Sequence, residues 1–237
     1  MSKFLVDSSF WELFPQAKIG VLLLDDLDNS GESGKEIRDL LYQSNKDAER
    51  YLVKAKFNEN PLIASWRAAY QKFKTKKGAR CSIEALLKRV EKENTVGCIN
   101  PLVDIYNSAS LRFGLPCGAE DMDSFQGDLI LGITRGGDEF YLIGESENSP
   151  TLEGELCYRD DAGAVCRCFN WRDGERTMIT EKTKRAFVVI ECIEKEQEEN
   201  QRQALELILQ YSRQHLGARG RMDILDAQKP QTDLSID

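Results

Sequence analysis

Near residue 114 the chain changes texture, and this change limits the fold more than any other feature. Upstream, Glu, Lys, Arg and Leu recur at helical spacing over residues 34–57. A second helix is expected after Pro61, through Trp66, Tyr70 and Phe73, and a third from a Ser82 cap to about Lys92. Downstream come short apolar runs separated by glycine turns. Residues 129–133 and 140–143 flank Arg135-Gly136-Gly137-Asp138, whose glycines supply the positive φ angles of a tight hairpin. Residues 155–158 and 164–169 bracket Asp160-Asp161-Ala162-Gly163 as a second hairpin, and residues 187–192 read as a central strand. The apolar run at 18–24, bounded by Asp25 and Asp26, reads as the buried strand where the sheet starts. The expected class is therefore α+β: a mixed or antiparallel sheet with helices packed on it.

A long C-terminal helix from Glu194 to His215 carries Leu205, Leu207, Ile208 and Tyr211 inward. Beyond Leu225 the composition predicts a disordered tail. The expected organisation is an N-terminal strand and helix (1–60) packed on a main domain (60–195), then the C-terminal helix (196–225) and the tail (226–237). A chain of 237 residues is long enough for a full core.

Composition narrows the function classes. A net charge of −8 argues against a general nucleic-acid binder, and DNA is not an expected partner. No segment approaches the roughly 18 to 20 uninterrupted apolar residues of a membrane span, and Met1-Ser2-Lys3-Phe4 opens no secretory signal, so a cytoplasmic site is expected. Seven scattered cysteines, an odd number, read as reduced and mostly buried thiols. With one histidine, His215, and no Cys-x-x-Cys pair, neither a metal nor another cofactor is expected. Gly31 to Lys35 resembles the end of a phosphate-binding loop, but Asn29 and Glu36 break the required pattern. Cys117 lacks a neighbouring base to activate it as a thiol nucleophile, and His215 has no partners for a serine hydrolase triad.

The most informative single run is Asn100 to Leu111, followed by Gly114-Leu115-Pro116-Cys117-Gly118-Ala119-Glu120-Asp121. Asn100 caps a helix, Pro101 occupies its first turn and Gly114 ends it. Leu102, Ile105, Tyr106 and Ala109 form an apolar stripe, while Asp104, Asn107, Ser108, Ser110 and Leu111 occupy the rest of the circumference. A solvated face would carry Lys and Glu, so these short polar groups point either to a shaped polar pocket or to a modest wet side.

Together with Gly154-Glu155, Asp160-Asp161, Phe169-Asn170-Trp171-Arg172 and Thr180 to Glu191, this run resembles the B3/B4 domain. That domain is the editing module of the bacterial phenylalanyl-tRNA synthetase beta subunit, and the resemblance is greater to its freestanding relatives. It covers roughly residues 60–195. It implies a protein that binds the acceptor end of a mischarged tRNA and hydrolyses the wrong amino acid from it in trans. By the same resemblance Tyr106 and Asn107 fall on pocket positions of the synthetase helix, and Glu191 falls near its pocket glutamate, to within a residue or two. Gly118 falls where the synthetase has a histidine, which implies a roomier pocket and a different specificity. The aminoacylation machinery is not visible, so a ligase is not expected.

Ester hydrolysis needs a positioned water, stabilisation of an oxyanion and a handle for the substrate ammonium. Asn107 is the expected catalytic residue, through its amide; Asp104, Tyr106, Ser110, Gly118 and Glu191 are the expected substrate-binding residues. Asp104 reads equally as an anchor for a loop, and Glu191 as a solvated strand end. Contact with tRNA phosphates is expected from the island of Lys72, Lys74, Lys76, Lys77, Arg80, Lys88 and Arg89, and from Arg172 beside Trp171. The island reads alternatively as a solvated helical face. Two other functions fit the residues: a non-catalytic RNA- or amino-acid-binding module of the same fold, and a protein-interaction platform on the C-terminal helix. Oligomeric state is not legible.

Overall fold

The computed structural model describes residues 2–236. In chain order the first half comprises β1 (Lys3–Val6), α1 (Ser8–Leu13), β2 (Lys18–Asp25), α2 (Lys35–Asp47), α3 (Pro61–Ala69), α4 (Ser82–Glu91) and α5 (Pro101–Phe113). There follow β3 (Cys117–Asp121), β4 (Leu129–Ile133), β5 (Leu156–Asp160), β6 (Gly163–Arg167), β7 (Arg172–Asp173) and β8 (Ala186–Cys192). The chain closes with α6 (Glu198–Leu216), β9 (Arg219–Leu225) and β10 (Gln231–Asp233). The class is α+β, with two sheets: β10-β1-β4-β5-β6-β7, and β3-β8-β2-β9. The pair β1–β4 is parallel; the other pairings of both sheets are antiparallel.

The four-stranded sheet is buried on both faces, and β2 shows why its sequence is unbroken in apolarity. Successive strand residues point to opposite faces, so Ile19, Val21 and Leu23 join one core cluster while Leu22 and Leu24 join the other. The first face packs on the six-stranded sheet, where Phe4 of β1 meets Phe187 of β8 edge to face at 5.0 Å, and α1, α3 and α4 close that core. The second face is covered by Leu102, Ile105 and Ala109 of α5 and by Ala204, Leu205 and Ile208 of α6. The strand at 187–192 is central as expected, lying between β3 and β2.

Several expectations need correction. The runs 129–133 and 140–143 do not form a hairpin; β4 pairs with β1 and β5. The glycine turn serves a different partner: Gly137 donates to Thr151 O at 2.9 Å, Thr134 to Glu155 O at 2.9 Å, and Gly136 lies so close to the Glu153 backbone that a Cβ would meet it at 2.6 Å. Helix α4 is capped by Cys81, with Ser82 as its first residue. The C-terminal helix does not reach 225: Gly217 at φ 66° ends it, and the chain returns as β9, paired with β2 from Ile19 to Asp25. The tail is not disordered up to residue 236, because β10 pairs with β1 and buries Thr232 and Leu234; the expected tail's last residue, 237, lies outside the described residues. Both strands are polar in composition because they lie at sheet edges. The N-terminal 60 residues supply β2, an inner strand, rather than a peripheral layer. Among the described residues no helix is long and apolar enough to cross a membrane.

Candidate active site

Helix α5 forms as its sequence dictates: Asn100 accepts from Val103 N, Pro101 sits in the first turn and Gly114 adopts the left-handed cap at φ 67°. Its polar face, however, is not a pocket. Asp104 is fully buried, accepting from Ile99 N at 2.8 Å and from the Ser33 hydroxyl, so it ties the loop before α5 to the loop before α2. Ser108 donates to Asp104 O, and Ser110 donates to Leu115 O at 2.5 Å, closing the turn that leads to Pro116. These groups are spent on local architecture. Asn107 is buried on the same helix, and Tyr106 is half-buried against the α5–α6 core; neither lines the cavity described next.

That cavity, about 60 Å³, lies between the β3–β8 edge of the four-stranded sheet and the β5–β6–β7 end of the other. Gly118 and Glu120 of β3 register against Val189 and Phe187 of β8, so all four share its face, and Glu191 follows on β8. Tyr158, Asn170, Trp171 and Asp173 close the opposite side, and Ser82 enters from the start of α4. Of the residues singled out by sequence, the structure brings Gly118 and Glu191 together here.

The polar groups of this cavity are conspicuously unmatched. Glu191 is fully buried; its Oε1 accepts from the Tyr158 hydroxyl at 2.8 Å, and its Oε2 has no partner. Asn170 Oδ1 accepts from the Tyr70 hydroxyl at 2.9 Å, which turns its amide nitrogen the other way, and that Nδ2 has no partner. Glu120 Oε2 and Ser82 Oγ are likewise buried without partners. Buried polar groups are nearly always satisfied in folded proteins; here Asn170 stands beside Glu191, and Thr177 and Asp173 beside Glu120, yet the four atoms close no hydrogen bond of normal geometry, and the cavity they share is a place shaped for a ligand. Burial pushes the Glu191 carboxyl up to about 7, a rise opposed by its donors, Tyr158 above all. Burial also raises Glu120 well above the carboxylate range, with the neighbouring Asp173 charge adding to it, and burial raises Asp173. Tyr106 is raised by burial too, with Asp173 and Glu120 contributing.

Asn170 is presented by a strained turn. Cys168 and Phe169 have φ of 47° and 68°, a left-handed region that non-glycine residues adopt at a cost. Two devices hold them there. Phe169 packs among Phe10, Phe14, Trp66 and Phe73, and Glu155 accepts from Cys168 N at 3.0 Å while pairing with the buried Arg167 at 2.9 and 2.6 Å. Of the missed residues, Glu120 and Asn170 fall in two of the short segments that carried the resemblance, residues 114–121 and 169–172, while Tyr158 and Asp173 had no such signal.

The basic island is dispersed. Lys72 donates to Leu13 O and sits 4.7 Å from the Phe14 ring, and Lys88 is held by Glu91 at 2.5 Å over the Phe57 ring. Lys74 is exposed, its backbone bridged to Glu155, and Lys77 and Arg89 are exposed. Arg80 lines an open groove with Arg67, Tyr70 and Glu84, where Glu84 already neutralises Arg67 at 2.7 Å. Lys76 and Arg172 line a crevice that shares Trp171 with the main cavity, and the Arg172 guanidinium lies 4.6 Å over the Trp171 ring.

The family model described as the B3/4 domain matches residues 65–216. Among solved structures, the chain is similar to an N-terminal fragment of the phenylalanyl-tRNA synthetase beta-subunit from Pyrococcus horikoshii, at 12% identity and a TM-score of 0.47. That alignment covers 92% of this chain and 50% of the other, so the chain spans about half the length of that structure. No curated protein matches.

Proposed function

The chain belongs to the B3/4 domain family, and we propose that it hydrolyses in trans the ester of a mischarged aminoacyl-tRNA, binding the acceptor end, in the cytoplasm. The observation that carries this reading is the set of buried, unpartnered groups in one cavity: Glu191 Oε2, Asn170 Nδ2, Glu120 Oε2 and Ser82 Oγ. Three of them, Glu191, Asn170 and Ser82, supply what the reaction needs. Glu191 neutralises the substrate α-ammonium. Asn170 Nδ2, fixed by Tyr70, donates to the ester carbonyl oxygen as it becomes an oxyanion, helped by the positive end of α4. Ser82 Oγ holds the attacking water. Water oxygen bonds to the carbonyl carbon, the bond to the ribose oxygen breaks, and the ribose oxygen takes a proton; free amino acid and tRNA are released. An aminoacyl ester is already activated, so positioning can supply up to roughly 7 to 11 kcal/mol of the barrier reduction. Asn170 thus takes the role that the sequence alone assigned to Asn107.

The test is a panel of tRNAs charged with labelled amino acids, with release of label followed for the native protein and for Asn170→Ala. Hydrolysis of one or a few pairs, slowed 100-fold or more in the variant, is the expected result. Binding of charged tRNA without hydrolysis of any pair would overturn it in favour of a non-catalytic module.

A further inference from the structure

The cavity holds more acid than one ammonium group can satisfy. Glu191 is one carboxyl; Glu120 and Asp173, close enough to hydrogen-bond each other, form a second site, with Glu120 only 5% exposed and its Oε2 without a partner of normal geometry. No side chain of the described residues forms an ion pair with any of the three, and the nearby cations are committed elsewhere. Arg176 is bound to Asp160 at 2.9 and 2.7 Å, and Arg167 to Glu155 at 2.6 Å. A single metal ion does not answer the geometry either, because no three His, Cys, Asp or Glu side chains among the described residues form a group that could hold one. Glu120 lies opposite Phe187, and Glu191 stands four residues further along β8, so an extended occupant positive at two points answers both carboxyls. Between Glu120 and Glu191 the wall is apolar, with Phe187 and Val189 on the cavity face and Gly118 leaving the floor free of a side chain.

We propose that the amino acid accepted here carries a second positive charge on its side chain, with its α-ammonium at Glu191 and its distal cation between Glu120 and Asp173. This rests on the aminoacyl-ester reading of the cavity. The methylenes of a short diamino acid would cross the apolar walls, and the two ends would pair with orphaned oxygens. Since burial raises all three carboxyls, entry of a dication displaces protons from them, and binding strengthens with rising pH.

The experiment uses amides, which the hydrolase does not cleave as esters: ornithinamide and lysinamide against norleucinamide, by calorimetry in buffers of different ionisation enthalpy. The dications are expected to bind at least tenfold more tightly than norleucinamide, with proton release, and Glu120→Gln is expected to erase that preference while norleucinamide still binds. Asp173→Asn provides a second variant should the first fail to fold. Equal affinity for all three amides in the native protein, or selectivity untouched by both variants, would overturn the inference. Selective binding of dications with no hydrolysis of any charged tRNA would leave this inference standing and remove the hydrolase reading. Hydrolysis confined to neutral aminoacyl esters would do the reverse.

Discussion

Tyr158 donates its phenolic proton to Glu191 Oε1 across 2.8 Å, while the other oxygen of the same buried carboxyl accepts nothing. One donor therefore orients the group and leaves half of it facing the cavity. A carboxyl built only to support the sheet would have had both oxygens satisfied, since an orphaned buried acceptor costs about 1–3 kcal/mol. Tyr70 does the same for Asn170, taking its carbonyl and leaving its amide free. Two tyrosines on different elements thus aim two unmatched groups at one space.

The Glu191 carboxyl ties stability to pH. Its value in the fold, about 7, stands above the ordinary 4.5, so its contribution is fully present below the unfolded value and is lost as pH rises through the folded one. The loss amounts to about 3 kcal/mol by pH 8. Glu191→Gln is expected to flatten that part of the decline, leaving a smaller slope of the same sign from Glu120 and Asp173. Thermal melts of both proteins at pH 5 and pH 8 measure it; identical slopes would show that Glu191 ionises freely in the fold.

Tyr70→Phe removes the hydroxyl that fixes Asn170 but not the ring packed against Phe73. The loss of one such bond costs about 1 kcal/mol of stability. The expected kinetic result is a fall in the single-turnover rate, smaller than that of Asn170→Ala, with KM little changed. If Tyr70→Phe acts on KM alone, Asn170 is not positioned by that bond.

What sequence could and could not reveal follows from where each constraint lies. The strand at 18–25 was legible because both its faces are buried, which leaves an unbroken apolar run, and α5 because its caps are local. The polar face of α5 misled because its groups are spent on the backbone and on a distant loop: Ser108 and Ser110 bond carbonyls within five residues, and Asp104 is held by Ser33, far away in the chain. The turn at Cys168 and Phe169 was invisible, since its left-handed backbone is imposed by Glu155 and an aromatic cluster rather than by glycine. Strand β10 looked like tail because an edge strand needs few apolar residues. Gly118 and Glu191 came to notice only through resemblance, while the opposite wall of the cavity, Tyr158 with Asp173, lies on strands of the other sheet that no local pattern joins to them.

Gly118 has an ordinary strand backbone, and a Cβ there would meet only Val189 Cγ1, at 3.8 Å. A side chain is therefore accommodated by the fold but occupies the cavity. Gly118→Val is expected to leave the melting temperature within a few degrees of native while weakening ligand binding at least tenfold. A large loss of stability would mean the space is needed for packing, and unchanged binding would mean the ligand does not lie over β3.

Arg172 and Lys76 line a crevice that meets the cavity at Trp171. If the acceptor stem runs along this crevice, each phosphate contact adds to the dependence of affinity on salt. Removing a cation then lowers the slope of log K against log salt by roughly 0.7 to 0.9. Arg172→Ala is expected to weaken tRNA binding and reduce the slope by about that amount, whereas Lys88→Ala, whose ammonium is already held by Glu91 over Phe57, is expected to leave it unaltered. Filter binding across a salt series separates the two. A slope that falls for Lys88 and not for Arg172 would put the nucleic acid on α4, on the far side of the groove lined by Arg67 and Arg80, and would detach the basic island from the cavity altogether.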